Sequence, residues 1–163
     1  MNSKNQGGLN ERRSFTACGI GCFWFDGIDR DGPDPCDLPQ NGLKVDVVGG
    51  DHQNKADIGA SIVRQWYDQD GVDIIVDVPN SAVALAVGEI SRDKNKIMLN
   101  SGAGTSDLTG PKCSPNTIHW SYDTWMLANG TGRAIVKQGG DSWFFMTTDY
   151  AFGHSLERDT MAV

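Results

Sequence analysis

The apolar positions change period along the chain, and each change marks an element. Lys44-Val45-Asp46-Val47-Val48 reads as a strand that ends at Gly49-Gly50-Asp51. A helix is predicted from Ala56 to about Asp68, with Ile58, Ile62 and Trp66 along one stripe and Asp70-Gly71 ending it. Ile74, Ile75, Val76 and Val78 then form a short β-branched run of the kind buried on both faces of a sheet. Pro79-Asn80-Ser81 breaks that run, and Asn80 or Ser81 can cap the next helix. From Ala82 the period is helical, with Val83, Ala86, Val87 and Ile90 on one face. Asp93 to Lys96 closes this helix, and Ile97-Met98-Leu99 is a second buried strand. It opens into the small-residue loop Asn100 to Ser106.

Further on, Thr117 to Tyr122 predicts a short strand, and Asp123 an N-cap for a helix from Thr124 to Lys137. Trp125, Leu127, Ala128, Ala134 and Ile135 would give that helix its apolar surface, with Gly130 and Gly132 weakening it. Ser142 to Thr147 predicts another buried strand, and a last helix begins near His154. This alternation predicts an α/β class, a mostly parallel sheet with helices on both faces. Two parallel strands joined by a helix form a right-handed unit, and ligands bind at the carboxyl edge of such a sheet. The loops holding Asn80-Ser81 and Ser101 to Thr105 both lie at that edge.

Residues 1–43 do not fit this alternation. Met1 to Asn10 is polar and reads as disordered, and Ser14 to Phe25 has apolar residues without a clear period. Asp26 to Gln40 is a loop rich in Asp, Gly and Pro that lacks the ligand order of a calcium loop. Arg12-Arg13 precedes an apolar stretch too short and glycine-rich for an export signal. The expected organisation is therefore an atypical start over 1–43, disordered or non-homologous, and an α/β unit over 44–163.

Composition narrows the function classes. A formal net charge of −7 over 163 residues, with the acids scattered, argues against nucleic acid as the main partner. Cys18, Cys22, Cys36 and Cys113 contain no CxxC pair and have no nearby His, so unrelated thiols are expected rather than a zinc site. His52, His119 and His154 lack motif neighbours and read as surface or loop residues.

The loop Ser101-Gly102-Ala103-Gly104-Thr105-Ser106 has no Lys for a phosphate loop and Asp107 where a dinucleotide fingerprint needs Gly. It still offers backbone N–H groups and hydroxyls to a small anion. Asn80-Ser81 opens a helix, whose N-terminus favours a carboxylate. Tyr150, set among Asp, Ala and Gly, is the aromatic residue expected to face a cleft. Asn129-Gly130-Thr131 fits a glycosylation acceptor but falls in a predicted helix.

The segments from KVDVVGGDHQNKADIGASIVRQW to VPNSAVALAV, then KIMLNSGAGTSDLT and WFFMTTDYAFGHSLERD, resemble the type I periplasmic solute-binding proteins of ABC transporters, the branched-chain amino-acid-binding kind. The resemblance covers Lys44 to Val163. It implies two lobes closing on a small ligand. Of these, the chain would hold an incomplete first lobe and the first βα unit of the second. It implies no enzyme activity and no cofactor. The implied partners are a branched-chain amino acid or related carboxylate or amide, and a transporter permease, in the periplasm. Ligand contacts would come from Asn80, Ser81, Ser101, Gly102, Ala103, Gly104, Thr105 and Tyr150. The alternatives left open are a ligand-sensing regulator or an enzyme on the same scaffold, or a non-functional truncated fragment.

Overall fold

The computed structural model describes residues 13–18 and 45–163, with side chains from Val48 onward. Five strands form one parallel sheet: β1 (Arg13–Cys18), β2 (Val45–Gly50), β3 (Val72–Val76), β4 (Ile97–Asn100) and β5 (Thr117–His119). Their order is β2-β1-β3-β4-β5. The segment without legible period thus supplies an inner strand: β1 pairs Phe15 with Val47 on one side and with Ile74 on the other. RSFTAC has only Phe15, Ala17 and Cys18 as apolar residues, too few to betray a strand by pattern. The rest of 1–43, including the predicted disorder and the Asp-rich loop, lies outside the described residues.

Helix α1 (Ala56–Asp68) joins β2 to β3, and α2 (Ser81–Asp93) joins β3 to β4. Both crossovers run in the same direction across the sheet, so the right-handed rule puts α1 and α2 on one face, where they pack together. The connection between β1 and β2, which turns the other way, lies outside the described residues.

Val63, Val72, Ile75, Val78, Val83, Val87 and Met98 are fully buried between the helices and the sheet. The buried face of α1 is Gly59, Ala60, Val63, Trp66 and Tyr67, with the predicted Ile58 and Ile62 at its margin. The face is set by α2: a Cβ on Gly59 would stand 2.5 Å from Val83 Cγ1, so the bare glycine lets the helices approach. The Tyr67 hydroxyl and Ser91 Oγ share a buried hydrogen bond of 2.8 Å across the same seam. Burial pushes the Tyr67 hydroxyl up to about 12, against a smaller downward pull from Ser91.

The predicted helix from Thr124 to Lys137 forms in three parts. They are α3 (Thr124–Leu127), a wider π-wound stretch (Ala128–Gly132), and α4 (Arg133–Lys137). Asp123 caps α3 by accepting from the Met126 N–H at 2.7 Å. The π-wound stretch holds both glycines, Gly130 and Gly132. Contrary to expectation, Trp125 and Ile135 are exposed, and of the predicted apolar face only Ala128 is buried. Nothing lies within 4 Å of a Cβ built on Gly130. Gly130→Ala is therefore expected to stabilise the chain by about 0.5–1 kcal/mol through the unfolded state, read as a higher urea midpoint with unchanged slope. A lower midpoint would show that the π-wound stretch depends on glycine.

Ser142 to Thr147 is not a strand. A strand draws its backbone hydrogen bonds from a neighbour, and among the described residues none pairs with this segment. Its alternation survives, with Phe145 and Thr147 half-buried and Phe144 and Met146 almost fully exposed. The last helix, α5 (Ala151–Met161), starts three residues before His154 and buries Gly153, Ser155 and Asp159. The buried part of that face is polar, and hydrogen bonds dock it beside the half-buried Phe152.

Candidate functional site

The chain passes from β1 to β2 on one side and then crosses to β3 on the other. The strand order therefore reverses beside β1, and the crevice at the carboxyl ends of β1 and β3 is where an open sheet offers a ligand site. Among the described residues, three loops frame this edge: Asp51 to Lys55 after β2, Asp77 to Asn80 after β3, and Ser101 to Thr105 after β4.

The loop after β3 begins with Asp77 at φ 55°, a left-handed conformation that costs a non-glycine residue about 1 kcal/mol. Asp77 holds it with one bond to β4 and one to the loop after it. Its N–H donates to the Leu99 carbonyl at 3.0 Å, and its carboxylate accepts from the Ser101 hydroxyl at 2.9 Å. Asn80 then caps α2, its Oδ1 accepting from the N–H groups of Ala82 (2.9 Å) and Val83 (3.2 Å). Its Nδ2 donates to Asn54 Oδ1 at 3.4 Å, which ties α2 to the loop after β2.

The loop after β4 is folded back by the fully buried Asn100. Its Nδ2 donates to the Ala103 carbonyl at 2.9 Å, and its Oδ1 accepts from the Ala103 N–H at 3.4 Å. Gly102 lies so close to the other loop that a Cβ there would stand 2.7 Å from Pro79 Cα and 2.8 Å from Asp77 Oδ1. A Cβ on Gly104 would stand 3.0 Å from both the Phe152 and the Tyr122 rings. Tyr150, at the start of α5, stacks on Phe152 with centroids 6.1 Å apart.

The predicted residues thus divide into two groups. Asn80, Ser101 and Gly102 are half-buried, and Tyr150 is exposed. Ser81, Ala103, Gly104 and Thr105 are buried. Thr105 in particular is enclosed, its hydroxyl sharing a 2.7 Å bond with Ser155 of α5 and accepting from the Asp107 N–H at 3.3 Å. Its place is therefore that of a tether to α5, not of an open hydroxyl. Sequence reasoning missed Asp77, Asn100 and Asn54. The signal available was positional: each is an Asp or Asn at or just beyond the carboxyl end of a strand.

The histidines also differ from expectation in one case. His52 is completely buried, with Nδ1 accepting from the Asn54 N–H at 3.0 Å. His154 is exposed and pairs with Asp149, while His119 Nε2 lies 3.3 Å from the Ser121 hydroxyl. Cys113 is a free, exposed thiol, and Cys22 and Cys36 lie outside the described residues.

A second polar cluster docks α5 behind the site. Asp159 Oδ2 accepts from the hydroxyls of Thr124 and Ser106, each at 2.7 Å, and Oδ1 from the Arg158 guanidinium. Burial pushes the Asp159 carboxyl up, but these hydrogen bonds and the Arg158 charge together outweigh it and hold the group below its ordinary value. Arg158 also lies 3.0 Å from Asp107, whose hydrogen bond is the largest cause of the guanidinium's raised value.

Chemically, the open edge offers an amide, a hydroxyl, a glycine backbone and a phenol ring. Among the described residues no group of three or more His, Cys, Asp or Glu is placed to hold a metal ion. Residues 38–163 match the family model described as periplasmic binding protein. The chain belongs to the periplasmic binding protein family. A periplasmic binding protein from Burkholderia mallei is 42% identical, with a TM-score of 0.76. The match covers 93% of this chain and 42% of that one. A branched-chain amino acid ABC transporter periplasmic ligand-binding protein from Burkholderia xenovorans is 26% identical over the same shares, with a TM-score of 0.65. A solute-binding protein of an ABC transporter from R. palustris, solved in complex with 4-hydroxybenzoate, is 16% identical with a TM-score of 0.70. It shares the fold over 93% of this chain and 44% of its own. No curated protein matches the chain. The chain spans less than half the length of these solved family members.

Proposed function

We propose that the chain serves in extracytoplasmic solute binding for an ABC transporter, as a binding protein and not an enzyme. Its ligand is a branched-chain amino acid or a related small carboxylate or amide, and its protein partner is the transporter's permease. Residues 44–163, with β1 (Arg13–Cys18) as the inner strand of their sheet, form the binding unit, and the site of action is the periplasm. The observation that carries this reading is the meeting of two small-residue loops, Asp77 to Asn80 and Ser101 to Gly102, at the switch-point edge of the sheet. Asn80, the Ser101 hydroxyl and the Gly102 backbone are the proposed polar contacts, with Tyr150 flanking. Thr105, Gly104, Ala103 and Ser81 shape the loops from behind. The 26% identical relative that is a branched-chain amino acid transporter component supports this ligand class. The 4-hydroxybenzoate complex supports the fold alone and puts aromatic carboxylates among the compounds to test.

Thermal melting with branched-chain amino acids, short amides and aromatic carboxylates tests the proposal. One class is expected to raise the midpoint, since a ligand at 100 times its dissociation constant adds about 2.7 kcal/mol. Ser101→Ala is expected to reduce that shift without preventing the melt. A cooperative melt that no class moves would overturn the reading.

A further inference from the structure

The strands of the sheet all run parallel and end on one side of it. The segment that leaves β5, Trp120 to Asp123, therefore emerges on the same side as the loops of the proposed ligand site. Two backbone bonds tie it to the loop after β4. The Trp120 N–H donates to the Asn100 carbonyl at 3.4 Å, and the Thr124 N–H to the Gly104 carbonyl at 2.8 Å. Tyr122 lies between these tethers. A Cβ on Gly104 would stand 3.0 Å from the edge of the Tyr122 ring and 3.0 Å from that of Phe152. The bare glycine thus lets both rings close on the backbone of the loop.

Phe152 in turn stacks on Tyr150, with planes 29° from parallel. The three rings form one aromatic shelf that begins at Gly104, two residues along the chain from Gly102. Phe152 is half-buried, while Tyr122 is 46% and Tyr150 39% exposed. Such rings gain most from a further ring laid offset or edge-on, with centroids about 4.5–7 Å apart, because the quadrupoles then attract in addition to the apolar areas. A saturated group of the same size gains the area contribution alone. Gly102 and Gly104 are at most about 7 Å apart along the backbone, a span that one benzene ring with its carboxylate covers.

We propose that Tyr122 is a specificity-determining residue of the ligand site, and that the shelf it forms with Phe152 and Tyr150 selects a planar aromatic carboxylate over an aliphatic one. The carboxylate meets the Ser101 hydroxyl and the Gly102 backbone, and the ring lies on Tyr122 and Tyr150. The proposal rests on the reading of this edge as a ligand site and names the ligand class within it.

Benzoate and cyclohexanecarboxylate test it, since they share a carboxylate on a six-carbon ring and differ in aromaticity. Leucine is the third probe. Calorimetry on the full chain should find benzoate bound about two- to tenfold more tightly than cyclohexanecarboxylate, the affinity ratio that ring stacking supplies beyond area. Tyr122→Leu should abolish this preference, with benzoate losing the most. Tyr122→Phe, which keeps the ring, should retain it. In the wild type, magnetisation should transfer from the Tyr122 ring protons to those of bound benzoate, a readout that needs no variant. Equal affinities for the two acids, no transfer from Tyr122, or a Tyr122→Leu chain that weakens both acids in proportion would overturn the proposal. Leucine binding without benzoate binding would also overturn it and leave the ligand-site reading standing. A folded chain that binds none of the three would overturn that reading, and the proposal with it.

Discussion

Gly102→Ala is expected to abolish ligand-induced stabilisation and to lower the urea stability of the chain by about 1–3 kcal/mol. The added methyl would meet Pro79 Cα at 2.7 Å, which is backbone and cannot swing aside, and Asp77 Oδ1 at 2.8 Å. Relief requires the two loops to part. Parting them breaks the Ser101–Asp77 bond and threatens the Asp77 N–H bond to Leu99, the two contacts that hold Asp77 in its left-handed conformation. The same movement displaces Ser101 and Asn80 relative to each other, so the proposed ligand contacts fail together. Gly88→Ala is the matched control. It lies in α2, where a Cβ would make ordinary contacts with Thr117 Oγ1 at 3.4 Å and Met98 Cε at 3.5 Å. Its stability change is expected to stay within about 1 kcal/mol of wild type, with ligand response retained. Equal ligand-induced shifts in Gly102→Ala and wild type would remove this junction from the binding edge.

The elements that could be read from the sequence are those with a strong local period. The β-branched run before Pro79 and the stripe of Val83, Val87 and Ile90 became β3 and α2 with their order and direction intact. The same physics explains the failures. β1 has too few apolar residues to show a pattern, yet it is an inner strand because β2 and β3 pair with it on either side. Ser142 to Thr147 has the pattern and forms no strand, because a strand exists only with a neighbour. At the sheet edge, glycine and small residues at strand ends marked the two loops that meet there, since close backbone approach is a local requirement. Which groups in those loops stay open was not legible. Thr105 and Ser155 are fifty residues apart, and their shared hydrogen bond, which encloses Thr105, is a product of tertiary docking. His52 was likewise unreadable: it is buried beside Gly59 of α1, a placement set by how the helix packs and not by local sequence pattern.

The docking of α5 supplies the other large expected effect. Asp159→Ala should cost about 2–3 kcal/mol at neutral pH, since it strands the hydroxyls of Thr124 and Ser106 and takes one partner from Arg158. The loss stays below the sum of its four charged hydrogen bonds because Arg158 keeps Asp107 and is half-exposed. Asp159→Asn isolates the charge: the amide oxygen can still receive the two hydroxyls, but the NH₂ group faces the guanidinium. The pH dependence has a definite sign. The Asp159 carboxyl is held below the 3.8 of an unperturbed aspartate, so the folded state binds its proton less readily than the unfolded state does. Its contribution is complete above the unfolded value and is lost as pH falls through the lower, folded one. Urea titrations from pH 7 to pH 3 should therefore show the gap between wild type and Asp159→Asn constant down to about pH 5 and closing in acid. A gap that persists undiminished in acid would mean that the carboxylate's charge does not dock α5. The helix would then owe its place to Gly153 and the ring of Phe152 against Gly104, and Tyr150 would keep its position at the binding edge without Asp159.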